Sequence, residues 1–165
     1  MTNARPLPVP ALELRQISVS SAALVAGGFG PVEIPVALDY PTEFSVEVAL
    51  SIQGGEPLGP FFLVSTAAEM VVGEIGGTLV QSNTVEIGYA VVRSARCRGF
   101  ATAAVQRFIE LARAHPAVGR LIAHTPLDRP ASERVLVRSG FRCIGEIDDE
   151  YGGVVVRVRK WDFSL

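Results

Sequence analysis

Thr84-Val85-Glu86-Ile87-Gly88-Tyr89-Ala90-Val91-Val92 leads through Arg93-Ser94-Ala95 into Arg96-Cys97-Arg98-Gly99-Phe100-Ala101, and then into Thr102-Ala103-Ala104-Val105. The first nine residues form an apolar, β-like run, the last are Ala-rich and helical in pattern, and a glycine-bearing loop joins the two. A strand that turns directly into a helix brings the free N–H groups of the first helical turn together, where the helix dipole favours an anion. The stretch therefore predicts a phosphate site.

Downstream, Val105, Phe108, Ile109 and Ala112 fall at i, i+3, i+4 and i+7 on a helix that Pro116 must end. Arg120 to Thr125 then reads as a strand, so the stretch opens a strand–helix–strand unit. Ser132 to Ser139 reads as a second helix, stopped by Gly140. Phe141 to Ile147 and Val154 to Phe163 alternate as strands around a turn at Asp148-Asp149-Glu150-Tyr151-Gly152-Gly153. Upstream, Phe61 to Thr66 and Met70 to Val80 read as strands, and Gln81-Ser82-Asn83 turns the chain into Thr84 to Val92 as an antiparallel meander. Ser20-Ser21 can cap a short helix over Ala22 to Ala26; Phe44, Val48, Ala49 and Ile52 give a helical face ended by Gly54-Gly55. The first ten residues carry three prolines and read as a loose arm before an edge strand at Leu12 to Ile17. The fold class expected is a single α/β domain over 1–165, with a mixed, mostly antiparallel sheet flanked by helices.

A chain of 165 residues, 48% hydrophobic and 19% charged, suffices for one domain with a sizeable core. Its net charge of −2, with no dense basic run, lacks the signature of a nucleic-acid binder or of a polybasic membrane patch, leaving a small molecule or a protein as partner. Cys97 and Cys143 make no disulfide framework and lack metal-ligand spacing, so no metal is expected. With no charged n-region before an apolar h-region and no apolar run of about 18 residues, the expected location is cytoplasmic.

Arg96 to Ala101 fits Arg/Gln-x-x-Gly-x-Gly/Ala and resembles the acetyl-CoA diphosphate loop of the GCN5-related N-acetyltransferases, the GNAT superfamily. Glu86-Ile87-Gly88-Tyr89 before it and Ala101-Thr102-x-Ala104-Val105 after it extend the likeness to the branch of ribosomal-protein N-terminal acetyltransferases. The resemblance implies the acyl-CoA N-acyltransferase fold, with acetyl-CoA as co-substrate and an amine as acceptor. It implies a bulge that splays the strand before the loop from its parallel neighbour, leaving Tyr89, Ala90, Val91 and Val92 to pair with pantetheine. The N–H groups of Arg98, Gly99, Phe100, Ala101 and Thr102 would take the diphosphate, Gly99 allowing close approach and Ala101 staying small. Arg96 and Arg98 either add charge-assisted bonds or stand in solvent. Cys97 occupies a position where the family often has Gly; no His and Asp set surrounds it in the sequence, which argues against a nucleophile.

His124-Thr125-Pro126-Leu127-Asp128-Arg129-Pro130-Ala131-Ser132-Glu133-Arg134-Val135-Leu136, ending in Gly140-Phe141, is similar to the family's Asp-Asn-x-x-Ser-x-Arg-Val-Leu stretch. Arg129 replaces the Asn that binds pantetheine and could use its guanidinium instead. Leu136 stands where other branches place a Tyr that protonates the thiolate, which leaves Ser132 to act near the sulfur, to serve as a helix N-cap, or both. An attacking amine must shed a proton. Glu86, on one strand face with the small Gly88 and Ala90, is the first candidate base; Glu150 in its acidic turn is the alternative, as a base or as a collector of cations. His124 is a further proton carrier, and His115 reads as a helix end. An N–H near Val91 would hold the oxyanion.

The function expected is acetyl transfer from acetyl-CoA to a primary amine, a protein N-terminus or a small amine, by direct attack. The alternative is a non-catalytic acyl-CoA-binding module, suggested by the missing Asn and Tyr. A P-loop nucleotidase is excluded because no Lys-Ser/Thr follows the glycine loop. The apolar Val154 to Val158 strand could pair across a homodimer.

Overall fold

The computed structural model describes residues 9–52, 57–151 and 153–165. Its elements are β1 (Leu12–Gln16), α1 (Val19–Ala26), α2 (Glu43–Ser51), β2 (Phe61–Ser65), β3 (Met70–Gln81), β4 (Thr84–Val91), α3 (Phe100–Arg113), β5 (Arg120–Pro126), α4 (Pro130–Arg138), β6 (Arg142–Tyr151) and β7 (Val154–Ser164). The strands form a seven-stranded sheet in the order β1-β2-β3-β4-β5-β7-β6. Only β4 and β5 run parallel; every other neighbouring pair is antiparallel. The mixed, mostly antiparallel sheet expected is therefore the one observed.

Alternation along β3 assigns helices to the two faces. A Cβ at Gly77 would meet Phe108 of α3, whereas a Cβ at Gly88, the neighbour of Gly76 across the ladder, would meet Phe44 of α2. Gly76 and Gly77 point opposite ways, so α2 and α3 cover opposite faces. The α3 stripe read from the sequence is the buried one: Val105, Phe108, Ile109 and Ala112 are all inside, against Ile75, Val85 and Leu121. Trp161 Nε1–H donates to Thr125 Oγ1 at 2.8 Å, joining β7 to β5 within the core.

Several local expectations moved. Ser18, not Ser20 or Ser21, caps α1, its hydroxyl accepting from Ser21 N–H at 3.1 Å. Arg129, not Ser132, occupies the N-cap of α4, with Pro130 as its first residue. That start suits proline, whose missing N–H costs nothing there. Asp148 to Tyr151 do not form a turn; β6 continues through them, pairing Asp148↔Arg157 and Tyr151↔Val154. As an edge strand with one face to water, β6 accommodates these polar residues. The loose arm at 1–8, the helix stop at Gly54-Gly55 and Gly152 of the turn lie outside the described residues.

Glu74 is fully buried on β3, and neither carboxyl oxygen meets a partner in hydrogen-bond geometry. Burial raises its pKa, and Tyr40 and Ser45 nearby offset this only in part. The folded state thus holds a proton that the unfolded chain releases near its ordinary pKa, so stability falls as pH climbs above that value. Glu74→Gln is expected to raise the melting temperature more at pH 8 than at pH 5, as read by thermal denaturation followed by circular dichroism. A constant difference across that range would mean that Glu74 does not hold its proton.

Candidate active site

The parallel pair at the centre of the sheet is short. β4 meets β5 only at Thr84↔Arg120, Val85↔Leu121 and Glu86↔Ile122, while β5 continues to Pro126 beside β7. From Ile87 to Val91 the β5 side of β4 is therefore open, and the two strands splay apart. On its other side β4 stays paired with β3, without a register shift between Val91 and Val85. The shift in this ladder falls between Leu79 and Gln81, so the splay arises without a β3–β4 register shift beside the open segment. Gly73 holds the closed side, where any Cβ would collide with the Ala90 carbonyl oxygen.

Which groups of β4 enter the opening follows from the ladder. Val92 N–H donates to Val72 O at 2.9 Å. Backbone groups alternate sides along an antiparallel strand, so Ala90 and Gly88 also face β3, while Val91 and Tyr89 turn their N–H and C=O toward the cleft and Ile87, whose N–H closes the ladder with Ile122, adds its C=O. The Val91 carbonyl already accepts from Arg96 Nε at 3.0 Å. Arg96 is thus tied to the strand end, whereas Arg98 is exposed.

Beyond Val92 a single 3-10 turn, Arg93–Ala95, precedes the loop. Asp39 fastens this turn by accepting from Ser94 N–H at 2.8 Å and from Ser94 Oγ at 2.6 Å, bonds that hold its carboxyl below the usual range. Cys97 and Gly99 then take positive φ, 60° and 86°, and Gly99 becomes the N-cap of α3 without any side-chain cap. The left-handed backbone at Cys97 explains why a glycine suits that position. Among the described residues, no N–H from Cys97 to Thr102 donates a hydrogen bond. A left-handed residue placed directly before a helical one, as at Gly99-Phe100, turns successive N–H groups toward one concavity that suits an anion, and the N-terminus of a 14-residue helix adds its dipole. These free donors fit a diphosphate.

At the base of the cleft, on the α2 face, Glu86 meets His124: Nδ1 to Oε1 is 2.9 Å. Asp149 Oδ2 lies 3.4 Å from the same nitrogen. Glu150, adjacent on β6, points the other way and is exposed, so Asp149 rather than Glu150 joins the cluster. Gly88 does not leave an empty space, because the Phe44 ring stands where its side chain would be and forms an aromatic wall.

On the other face, Ser132 is the third residue of α4, half-buried, and its carbonyl accepts from the Tyr89 hydroxyl at 3.2 Å. Burial raises the Tyr89 pKa, which keeps it a protonated donor. Leu136 is fully buried, and among the described residues the exposed Arg129 side chain makes one ion pair, with Asp128 at 3.8 Å. Tyr89 as a side chain, Asp149 and Phe44 are the contributions that sequence reading missed.

The fold has counterparts among solved structures. A protein from Vibrio cholerae provisionally named a ribosomal-protein-serine acetyltransferase superposes with a TM-score of 0.70 at 14% identity, covering 100% of both chains. A GNAT-family acetyltransferase from Bacillus anthracis gives 0.69 at 16%, covering 96% of this chain and 97% of that one. A spermidine N-acetyltransferase SpeG chimera from Vibrio cholerae and hSSAT gives 0.68 at 12%, covering 93% and 95%. No curated protein matches the sequence. The model of the acetyltransferase (GNAT) domain matches residues 39–142, from the Asp39 anchor through the splayed strand, the anion loop and α4. That span is well over half of the chain, and the chain belongs to the GNAT acetyltransferase family.

Proposed function

We propose that the protein transfers the acetyl group of acetyl-CoA to a primary amine by direct attack within the β4–β5 cleft. The observation that carries this reading is the placement of a titratable cluster, Glu86, His124 and Asp149, at the closed end of a strand whose backbone is open from Ile87 to Val91. The N–H groups of Cys97 to Thr102 would hold the diphosphate, and within Tyr89 to Val92 the cleft-facing groups of Tyr89 and Val91 would pair with pantetheine. The Val91 N–H turns toward the cleft and would steady the oxyanion. Glu86 accepts the amine proton, with His124 beside it to pass the proton on and Asp149 adding negative charge that favours a cationic acceptor.

An acidic cluster with an aromatic wall suits a cation-bearing acceptor, either a protein N-terminus or a small polyamine-like amine. The likeness to a ribosomal-protein acetyltransferase and to SpeG supports both in equal measure. A panel of peptides and amines incubated with acetyl-CoA tests the reading. Mass spectrometry is the preferred readout, because the exposed Cys97 and Cys143 would react with thiol reagents. Tight acetyl-CoA binding without turnover of any amine would favour the binding-module alternative.

Because Ser132 is not a cap, its replacement separates roles cleanly. Ser132→Ala should leave the melting temperature nearly unchanged and lower kcat without weakening acetyl-CoA binding if the hydroxyl meets the leaving thiolate. Tyr89→Phe supplies the partner measurement, since the Tyr89 hydroxyl ends at the same turn of α4. Unaltered kcat in both variants would leave water as the proton donor.

A further inference from the structure

Glu86 on β4, His124 on β5 and Asp149 on β6 come from three strands, yet one ligand atom of each lies within 4.8 Å of the others. The His124 side chain is only 9% exposed, and neither of its ring nitrogens has a partner in hydrogen-bond geometry. Nδ1 therefore has two carboxylate oxygens at 2.9 and 3.4 Å, neither in hydrogen-bond geometry. Buried polar atoms are normally satisfied, and an imidazole facing two oxygens in this way has the arrangement of ligands around a shared centre. Atoms bound at about 2.0–2.2 Å to one ion stand roughly 2.8–3.1 Å apart at right angles and roughly 3.3–3.6 Å apart at the tetrahedral angle, spacings that the two contacts of Nδ1 match.

The donor set selects the ion. Calcium and magnesium take oxygen ligands, whereas an imidazole with two carboxylates suits zinc and its first-row neighbours. Lys160, the register partner of His124 on β7, makes no ion pair with either carboxylate, so both remain available. Entry is open, because the Glu86 and Asp149 side chains are 33% and 32% exposed.

We propose that Glu86, His124 and Asp149 bind a divalent transition metal ion of the zinc class, and that the bound ion silences the enzyme. A carboxylate that ligates an ion no longer accepts a proton from an amine. The silencing rests on Glu86 being the base; the binding does not.

The test begins with metal-free protein in which Cys97 and Cys143 are replaced by Ser to remove the exposed thiols. Calorimetric titration with zinc sulfate alone, near neutral pH, is expected to show one ion per chain. Affinity should drop roughly 10²-fold in His124→Ala and in Asp149→Asn, the second being a near-isosteric change at a part-exposed site that keeps the protein folded. Equal affinity in the parent and both variants would overturn the site, as would no binding at millimolar zinc. One bound ion with undiminished turnover upholds the site and removes Glu86 as the base.

Discussion

Thr102→Glu is expected to weaken acetyl-CoA binding by roughly 10²-fold while leaving the protein as stable as before or slightly more so. The two effects have opposite causes. A carboxylate in the first turn of α3 interacts favourably with the helix dipole, by about 0.3–1 kcal/mol. The same carboxylate, about 6 Å from a bound diphosphate at an effective dielectric near 20, is repelled by almost 3 kcal/mol per pair of charges. Few explanations other than an anion site produce both signs at once. Gly99→Val is the harsher companion: it should abolish binding, but its φ of 86° is one that a β-branched residue rarely adopts, so part of its effect will appear as lost stability. Calorimetric affinity beside thermal denaturation reads both variants. Unchanged affinity in folded Thr102→Glu protein would remove the diphosphate from this loop.

Glu86→Gln should lower kcat/KM by roughly 10²-fold or more and abolish the acidic limb of its pH profile, because the amide keeps the size of the side chain and loses its proton acceptance. The assay includes a chelator, so that a bound ion cannot mimic the loss. Asp149→Asn should act mainly on KM for a cationic acceptor, since its carboxylate attracts more than it exchanges. Glu150→Gln should be silent in both parameters, given its place on the opposite face of β6. Retention of rate and pH profile in Glu86→Gln would transfer the role to His124 or to water.

Much of this fold could be read from local patterns. The strand–loop–helix from Thr84 to Val105 was legible because its periodicity changes from two to 3.6 within a few residues, and glycine marks the change. The α3 stripe was equally plain, since an amphipathic helix declares its buried face in spacing alone. The β6–β7 turn was misplaced because Asp148 to Glu150 have the composition of a turn, and an edge strand that wets one face can carry the same residues. Asp149 escaped notice for a deeper reason. Its grouping with Glu86 and His124 depends on how three strands, with β7 lying between two of them, curl toward one point, and no spacing along the chain encodes that. Ser132 as a cap was a reasonable local reading that Arg129 and Pro130 displaced by starting the helix three residues earlier.

The open side of β4 also sets a pattern of solvent exchange that runs against its position. A central strand is ordinarily the slowest part of a sheet to swap its amide hydrogens for deuterium. Here Tyr89 and Val91 send their amides into the cleft with no neighbouring strand, whereas Gly88, Ala90 and Val92 are locked to β3. Deuterium labelling of the free protein should therefore alternate between slow and fast from Gly88 to Val92, in the middle of the sheet. Acetyl-CoA, by acting as the missing strand, should slow the fast ones and erase the alternation.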